Sequence, residues 1–286
     1  RETMNLPSVN IKQLLEAGVH LGHKTFRWNP KMSKFIFGSK NSIHIIDLVQ
    51  TMEMMNSALN QIHKCIALGG KMIFVSTKKQ AAESISTLAK NTSQFYVNHR
   101  WLGGMLTNWK TISNSIKYYK KLTEVLAKEN KGFTKKEILK MGTKRDKLER
   151  SLGGIADMKK VPDMIFIIDT NVEALAVKEA IKLNIPIVAI VDTNSDPTGI
   201  NFPIPGNDDA RRSINLYCEL VKETVLDAQK QITQDSKEES KPEIKLEESK
   251  IKVKELVLKP KEKIDVIKKK SKSIISKIRK LASKKK

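Results

Sequence analysis

Four short runs of unbroken apolar residues stand out along the chain: MIFV (Met72–Val75), FYV (Phe95–Val97), MIFIID (Met164–Asp169) and IVAIVD (Ile187–Asp192). Each is followed by polar turn residues. Continuous rather than alternating apolar runs suit strands buried on both faces, as in a parallel sheet. Helical patterns lie between and after them. Ala58–Leu68 stops at Gly69-Gly70, Lys79–Lys90 follows the first run, and Ala174–Leu183 ends near Asn184 and Pro186. A further helix is expected over Ala210–Leu226, with Asp208-Asp209 as its cap. Strand–helix alternation with right-handed crossovers predicts a three-layer α/β/α sandwich.

One interval breaks the alternation. From Thr107 to Leu152 apolar residues recur at steps of three and four: Ile112, Ile116, Tyr119, Leu122, Val125 and Leu126, then Ile138, Met141, Leu148 and Leu152. Lys131-Gly132 ends the first run, and Thr134-Lys135-Lys136-Glu137 reads as a capping box opening the second. The pattern predicts an αα-hairpin with a narrow, coiled-coil-like stripe. The domain reading is therefore an α/β body over residues 1–106 and 153–230, an inserted helical hairpin over 107–152, and a tail over 231–286.

Charge separates the tail from the body. The chain of 286 residues carries 53 Lys+Arg against 31 Asp+Glu, a net charge of +22. Residues 231–286 hold 19 of the cations and 9 of the acids, and the last 21 residues carry ten cations and no acid. Such a segment lacks the apolar content for a core and is expected to be a Lys-rich, disordered tail. The basic balance draws the chain to polyanions. No apolar run approaches the roughly 18 residues of a membrane span, so no membrane partner is expected. RETMNLPSVN lacks the apolar stretch of a secretory signal. Cys65 and Cys218 sit far apart in helical patterns and read as buried thiols, not as a disulfide or a zinc pair.

Candidate chemistry gathers in three places. GVHLGHKTFRWNPKM (Gly18–Met32) has neither helical nor strand periodicity, yet carries His20, His23, Lys24, Arg27, Trp28, Asn29 and Lys31. Imidazole, guanidinium, ammonium and indole groups on an irregular segment stack on bases and pair with phosphates. The alternative is a turn-rich loop with Trp28 plugging a core. Two histidines separated by a two-residue gap, with no third ligand nearby in sequence, predict no metal site. Lys78 and Lys79 follow the first strand, where the start of a helix favours anions. In NHRWLGGMLTN (Asn98–Asn108), Arg100, Asn98 and Asn108 are candidates for RNA, while Trp101 is expected to pack. Arg211 and Arg212 open the last helix as further cations. Asp169 and Asp192 end adjacent strands and read as loop caps. No phosphate-binding glycine loop follows any strand, and no Ser-His-Asp or Cys-His pairing suggests a nucleophile. The competing reading is an α/β enzyme, or a nucleotide- or flavin-binding protein, using the strand carboxyl ends.

Five blocks decide between these readings. The Gly18–Met32 segment, SIHIIDLVQT (Ser42–Thr51), FVSTKKQA (Phe74–Ala81), YVNHRWLGGMLTNWKTI (Tyr96–Ile112) and the long run Pro162–Ile214 resemble, in order, the bacterial-type small-subunit ribosomal protein S-two family. The resemblance covers about residues 5–228. It implies a flavodoxin-like sandwich with a five-stranded parallel sheet and a protruding helical hairpin. It also implies a structural, non-catalytic protein without cofactor. Its partners would be small-subunit ribosomal RNA and neighbouring ribosomal proteins, including the mRNA-binding ribosomal protein S-one, with no homo-oligomer. The setting would be a cytoplasmic bacterial-type ribosome, an organellar ribosome being the other fit.

Overall fold

A computed structural model describes residues 7–127 and 132–232, so the tail expectation lies outside the described residues. Five strands form a parallel sheet in the order β5-β4-β6-β7-β8: β4 (Met72–Val75), β5 (Phe95–Val97), β6 (Met164–Ile168), β7 (Ile187–Val191) and β8 (Phe202–Pro205). Four of them are the apolar runs of the sequence. The fifth, FPIP, escaped detection because two prolines weaken the strand signal; its place at the sheet edge is where a strand lacking two N–H donors is tolerated.

Strand side chains alternate between two cores. Met72, Phe74, Met164, Phe166, Ile168, Val188 and Ile190 face one cluster, with α2 (Leu48–Ala67), α3 (Ala82–Thr92) and α7 (211–232). Ile73, Val75, Ile165, Ile167, Ile187, Ala189 and Val191 face the other, with α6 (Ala174–Lys182). Both faces are covered, so the runs need no polar positions. This is the expected three-layer α/β/α sandwich. No helix among the described residues is long and apolar enough to cross a membrane.

Helix starts were harder to read than stops. α2 begins ten residues before the apolar pattern becomes clear, because Asp47 caps it by accepting from Val49 N. α1 (Ile11–Ala17), capped by Asn10, was not anticipated. Nor was a three-stranded antiparallel sheet of order β1-β3-β2: β1 (Leu21–Lys24), β2 (Ile36–Lys40) and β3 (Ile43–Ile46). The supposedly irregular Gly18–Met32 segment thus contains a strand. Its burial is partial and its register with β3 is interrupted, which hides the period of two.

The hairpin consists of α4 (Trp109–Ala127) and α5 (Lys135–Leu152), and both halves of the Thr134–Glu137 capping box are formed. Its base is rooted in the sheet core: Ile112, Ile116 and Leu152 are buried in the second cluster. The stripe therefore faces the body at one end and the partner helix only beyond it. Replacing residues 119–146 by a short linker is expected to leave the melting temperature of the body nearly unchanged. Excision of 110–152 is expected to cost several kcal/mol, since each of these buried apolar side chains is worth about 2–5 kcal/mol on truncation. Circular-dichroism melts of the two deletions distinguish a hairpin rooted in the core from one merely attached to it.

Candidate nucleic-acid interface

The carboxyl edge of the parallel sheet is covered by the segment that leads into and through β1. Asn207 N–H donates to Val19 O at 3.1 Å, His23 N–H to Thr193 Oγ1 at 2.9 Å, and Asn29 N–H to Thr193 O at 2.8 Å. Gly22 is required here: a Cβ would lie 2.6 Å from Thr193 Cγ2. The turn between β2 and β3 places Asn41 and Ser42 at φ of 52° and 59°, the paired left-handed geometry of a tight hairpin.

What this rigid segment shows to solvent is cationic and aromatic. Lys24, Arg27, Lys34 and Lys40 are exposed. Phe26 is 73% exposed, Phe37 80% and Trp28 40%. The Arg27 guanidinium stands 5.5 Å from the Phe26 ring centre, and Trp28 leans on His44 at 5.4 Å. Trp28 is therefore no core plug. Exposed rings beside fixed cations can take up unstacked bases while the cations hold phosphates.

The remaining candidates divide. Lys79, Arg100, Asn108, Arg211 and Arg212 are exposed. Arg27 and Arg100 form no ion pair with described residues; the buried Asp169, which could have braced such a guanidinium, is taken by Lys78. Lys31 is exposed but pairs with Asp196 at 2.7 Å and donates to Thr198 Oγ1 at 3.1 Å. Asn29 accepts from Lys31 N, capping the 3-10 turn Pro30–Phe35. Asn98 is half-buried and donates to Ala82 O at 3.3 Å. His20 is half-buried, with its carbonyl accepting from Ile46 N.

Two candidates are corrected. Lys78 does not face outward for phosphate: its ammonium lies 2.9 Å from Asp169 Oδ2, 2.7 Å from Asp208 Oδ1 and 2.7 Å from Asp209 Oδ1. Three carboxylates use its three donors. His23 is likewise turned inward, with Nδ1 2.9 Å from Asp192 Oδ2 and Nε2 3.5 Å from Asp209 Oδ2. The hydrogen bond to Asp192 raises its pKa above the usual histidine value, against the pull of burial. Burial pushes the Asp208 carboxyl up to about 7, reinforced by Asp192 and Asp169 and opposed by Lys78. The cap of α7 is also not the predicted one. Asn207 Oδ1 accepts from Asp209 N and Ala210 N, leaving Asp208 to the interior. Asp169 and Asp192 do cap their loops, accepting from Asn171 N and Thr193 N respectively.

Sequence reasoning missed Glu179. This acid on the inner face of α6 accepts from Trp101 Nε1, Gly104 N, Leu106 N, Thr107 N and Thr107 Oγ1 at 2.8–3.1 Å. It shapes the Trp101–Thr107 loop that follows Arg100, and Trp101 packs as expected, 5% exposed. The available signal was a lone Glu in ALAVKEAIK, one residue before Ala180 on the apolar stripe.

The ends of β4 and β6, where an open sheet of this order offers its crevice, are joined by the Lys78–Asp169 ion pair. Comparison with known proteins bears on what such a molecule does. A family model described as Ribosomal protein S2 matches residues 14–228. A small ribosomal subunit protein uS2 from Parvibaculum lavamentivorans is 58% identical over 224 residues, covering 78% of this chain and 88% of its own length. The protein of the same name from Brucella suis is 58% identical with the same coverage. That from Phenylobacterium zucineum is 57% identical over 224 residues, 76% of its own length.

Proposed function

The chain belongs to the ribosomal protein S2 family, and from that premise we propose that it docks on small-subunit ribosomal RNA through the cationic, aromatic surface of residues 24–40 together with Arg100. The family is one of structural ribosomal proteins, not of enzymes, and the chain is a structural component of a bacterial-type small ribosomal subunit. Its work is positioning. Lys24, Arg27, Lys79, Arg100, Asn108, Arg211 and Arg212 meet phosphates and RNA edges, and Trp28 supplies a stacking face. Asn29, Asn98, His20 and Lys31 support these loops from within or at their rim. The single observation that carries the reading is the display of Arg27, Phe26 and Trp28 on a segment pinned to the sheet edge by Thr193 and Asn207. A surface held in advance loses little conformational freedom on docking.

Contacts with neighbouring ribosomal proteins, and anchoring of the mRNA-binding ribosomal protein S-one, belong to the same proposal; family resemblance supports them. The bacterial relatives support a cytoplasmic ribosome as the setting.

The double variant Arg27→Ala, Arg100→Ala tests the reading. Loss of a charge-assisted phosphate bond costs about 1.5–3 kcal/mol. The variant is expected to keep a near-normal melting temperature while its occupancy on sucrose-gradient small subunits falls at least tenfold under competition with wild type. A fall in melting temperature large enough to account for the lost occupancy would refute the RNA-contact assignment for this pair.

A further inference from the structure

Helices that cover a sheet bury one stripe and turn polar side chains to water. α3 and α7 follow this rule: every exposed position on them is polar or charged. α6, on the other face of the sheet, does not. From residue 171 to residue 184 eight side chains are exposed, and four of them are aliphatic, two are lysine, two are asparagine and none is acidic. Val172 is 54% exposed, Leu175 55%, Ile181 44% and Leu183 39%. A single exposed aliphatic residue needs no explanation, but a contiguous group does.

The group is contiguous by helical geometry. Leu175, Lys178 and Lys182 follow at steps of three and four, and Ile181 lies beside Lys178 on the same outer face. Val172 enters the helix and Leu183 leaves it. The surface is also held firmly. Ala176 and Ala180 are fully buried beneath it, and Glu179 ties the inner side of α6 to the Trp101–Thr107 loop. Ile181 rests over Gly199, where a Cβ would lie 2.8 Å from its Cδ1. Both acids of the segment are spent inward: Glu179 on that loop, and Glu173, 2% exposed, on Thr77 N–H. Lys178 and Lys182 have no ion-pair partner among the described residues. What faces outward is a rigid aliphatic patch with two uncompensated ammonium groups one turn apart.

From this geometry we propose that the outer face of α6 docks an amphipathic helix of a neighbouring small-subunit ribosomal protein, one whose apolar stripe is flanked by Asp or Glu. This deepens the reading that places neighbouring ribosomal proteins against the chain, rests on it, and does not depend on the RNA-docking residues. The chemistry favours protein over RNA here. Aliphatic side chains offer no ring on which bases stack, in contrast to Phe26 and Trp28 on the RNA-docking surface. An apolar centre with charges at its margin is the usual build of a protein–protein contact. Leu175 and Ile181 would seat between apolar side chains of the partner helix, as in helix-in-groove recognition. Lys178 and Lys182, lying between them, select acids on the partner and discourage basic segments.

The test places p-benzoylphenylalanine at Leu175 in the full chain, expressed in bacterial cells and irradiated there. A covalent product with one protein is expected. Mass spectrometry of the joined peptide should show apolar residues at steps of three and four with acids beside them. Lys178→Glu combined with Lys182→Glu is expected to cut the yield roughly tenfold, and changing the partner's acids to lysine should restore it. The substituted positions are exposed and Glu179 is untouched; Val172 serves as the probe position if the Leu175 variant fails to fold. Products with RNA, with a second copy of this chain or with its own tail overturn the proposal. So does the absence of any product, or a yield that the charge reversal leaves unchanged. RNA docking is read separately, from the subunit occupancy of the Arg27→Ala, Arg100→Ala variant, and its failure leaves the cross-link result to stand by itself.

Discussion

Glu179→Ala is expected to destabilise the protein by about 3–5 kcal/mol while leaving every exposed cation in place. Five donors from the Trp101–Thr107 loop converge on this one carboxylate. Bonds to a charged acceptor are worth about 1.5–3 kcal/mol each, and donors left unsatisfied in the interior carry their own desolvation cost. The terms are not additive, which keeps the expectation near the top of the usual range for single substitutions. Glu179→Gln separates the hydrogen bonds from the volume. An amide keeps one acceptor oxygen but turns its NH2 against the other donors, so most of the loss should persist. Chemical denaturation of both variants provides the measurement; a loss below about 1 kcal/mol for Glu179→Ala would mean that water replaces the carboxylate. Burial alone would raise the pKa of Glu179, but the bonds from Thr107, Trp101, Leu106 and Gly104 outweigh it and lower the pKa from 4.5. The linkage follows: this stabilisation is present above the ordinary glutamate value and is lost as pH falls through the lowered one. The wild type should therefore lose more stability than Glu179→Gln as the pH is taken below about 4.5.

Lys78→Ala is expected to be the other severe change, and Lys79→Ala its contrast. Removing the Lys78 ammonium leaves Asp169 and Asp208 buried without a cation, a loss of about 3–5 kcal/mol by the behaviour of broken buried ion pairs. Asp209 is half-exposed and adds little. Burial pulls the Lys78 pKa down, but its bonds to Asp208, Asp209 and Asp169 leave it raised, so the stabilisation is fully present at neutral pH and is lost only as pH rises through the folded lysine value. Lys79 is exposed, and its removal should leave the melting temperature within a degree or two and act on RNA affinity alone. Thermal melts of the two variants side by side check this; equal melting temperatures would refute the buried role of Lys78.

The amino-acid pattern alone determined the parts of this protein that depend on near neighbours or on bulk burial. Runs such as MIFII and IVAIV, short, rich in β-branched residues and apolar at every position, suit strands covered on both faces. The Thr134–Glu137 box lies within four residues and declares a helix start. The composition of Trp101, Leu102, Met105 and Leu106 declares a buried loop.

Tertiary structure decided which polar groups remain free. Lys78 and Lys79 are adjacent, yet one is enclosed by Asp169, Asp208 and Asp209 and the other meets solvent. Partners so distant in sequence leave no local trace. His23 looks like a surface histidine until Asp192 and Asp209 arrive on loops beyond β7 and β8. Glu179 looks like an exposed helix acid until the Trp101–Thr107 loop folds onto it. Ile112, Ile116 and Leu152 carry a hairpin stripe whose period is the same whether it faces a partner helix or the sheet. Periodicity reports that a face is buried, and only the folded chain determines what it is buried against.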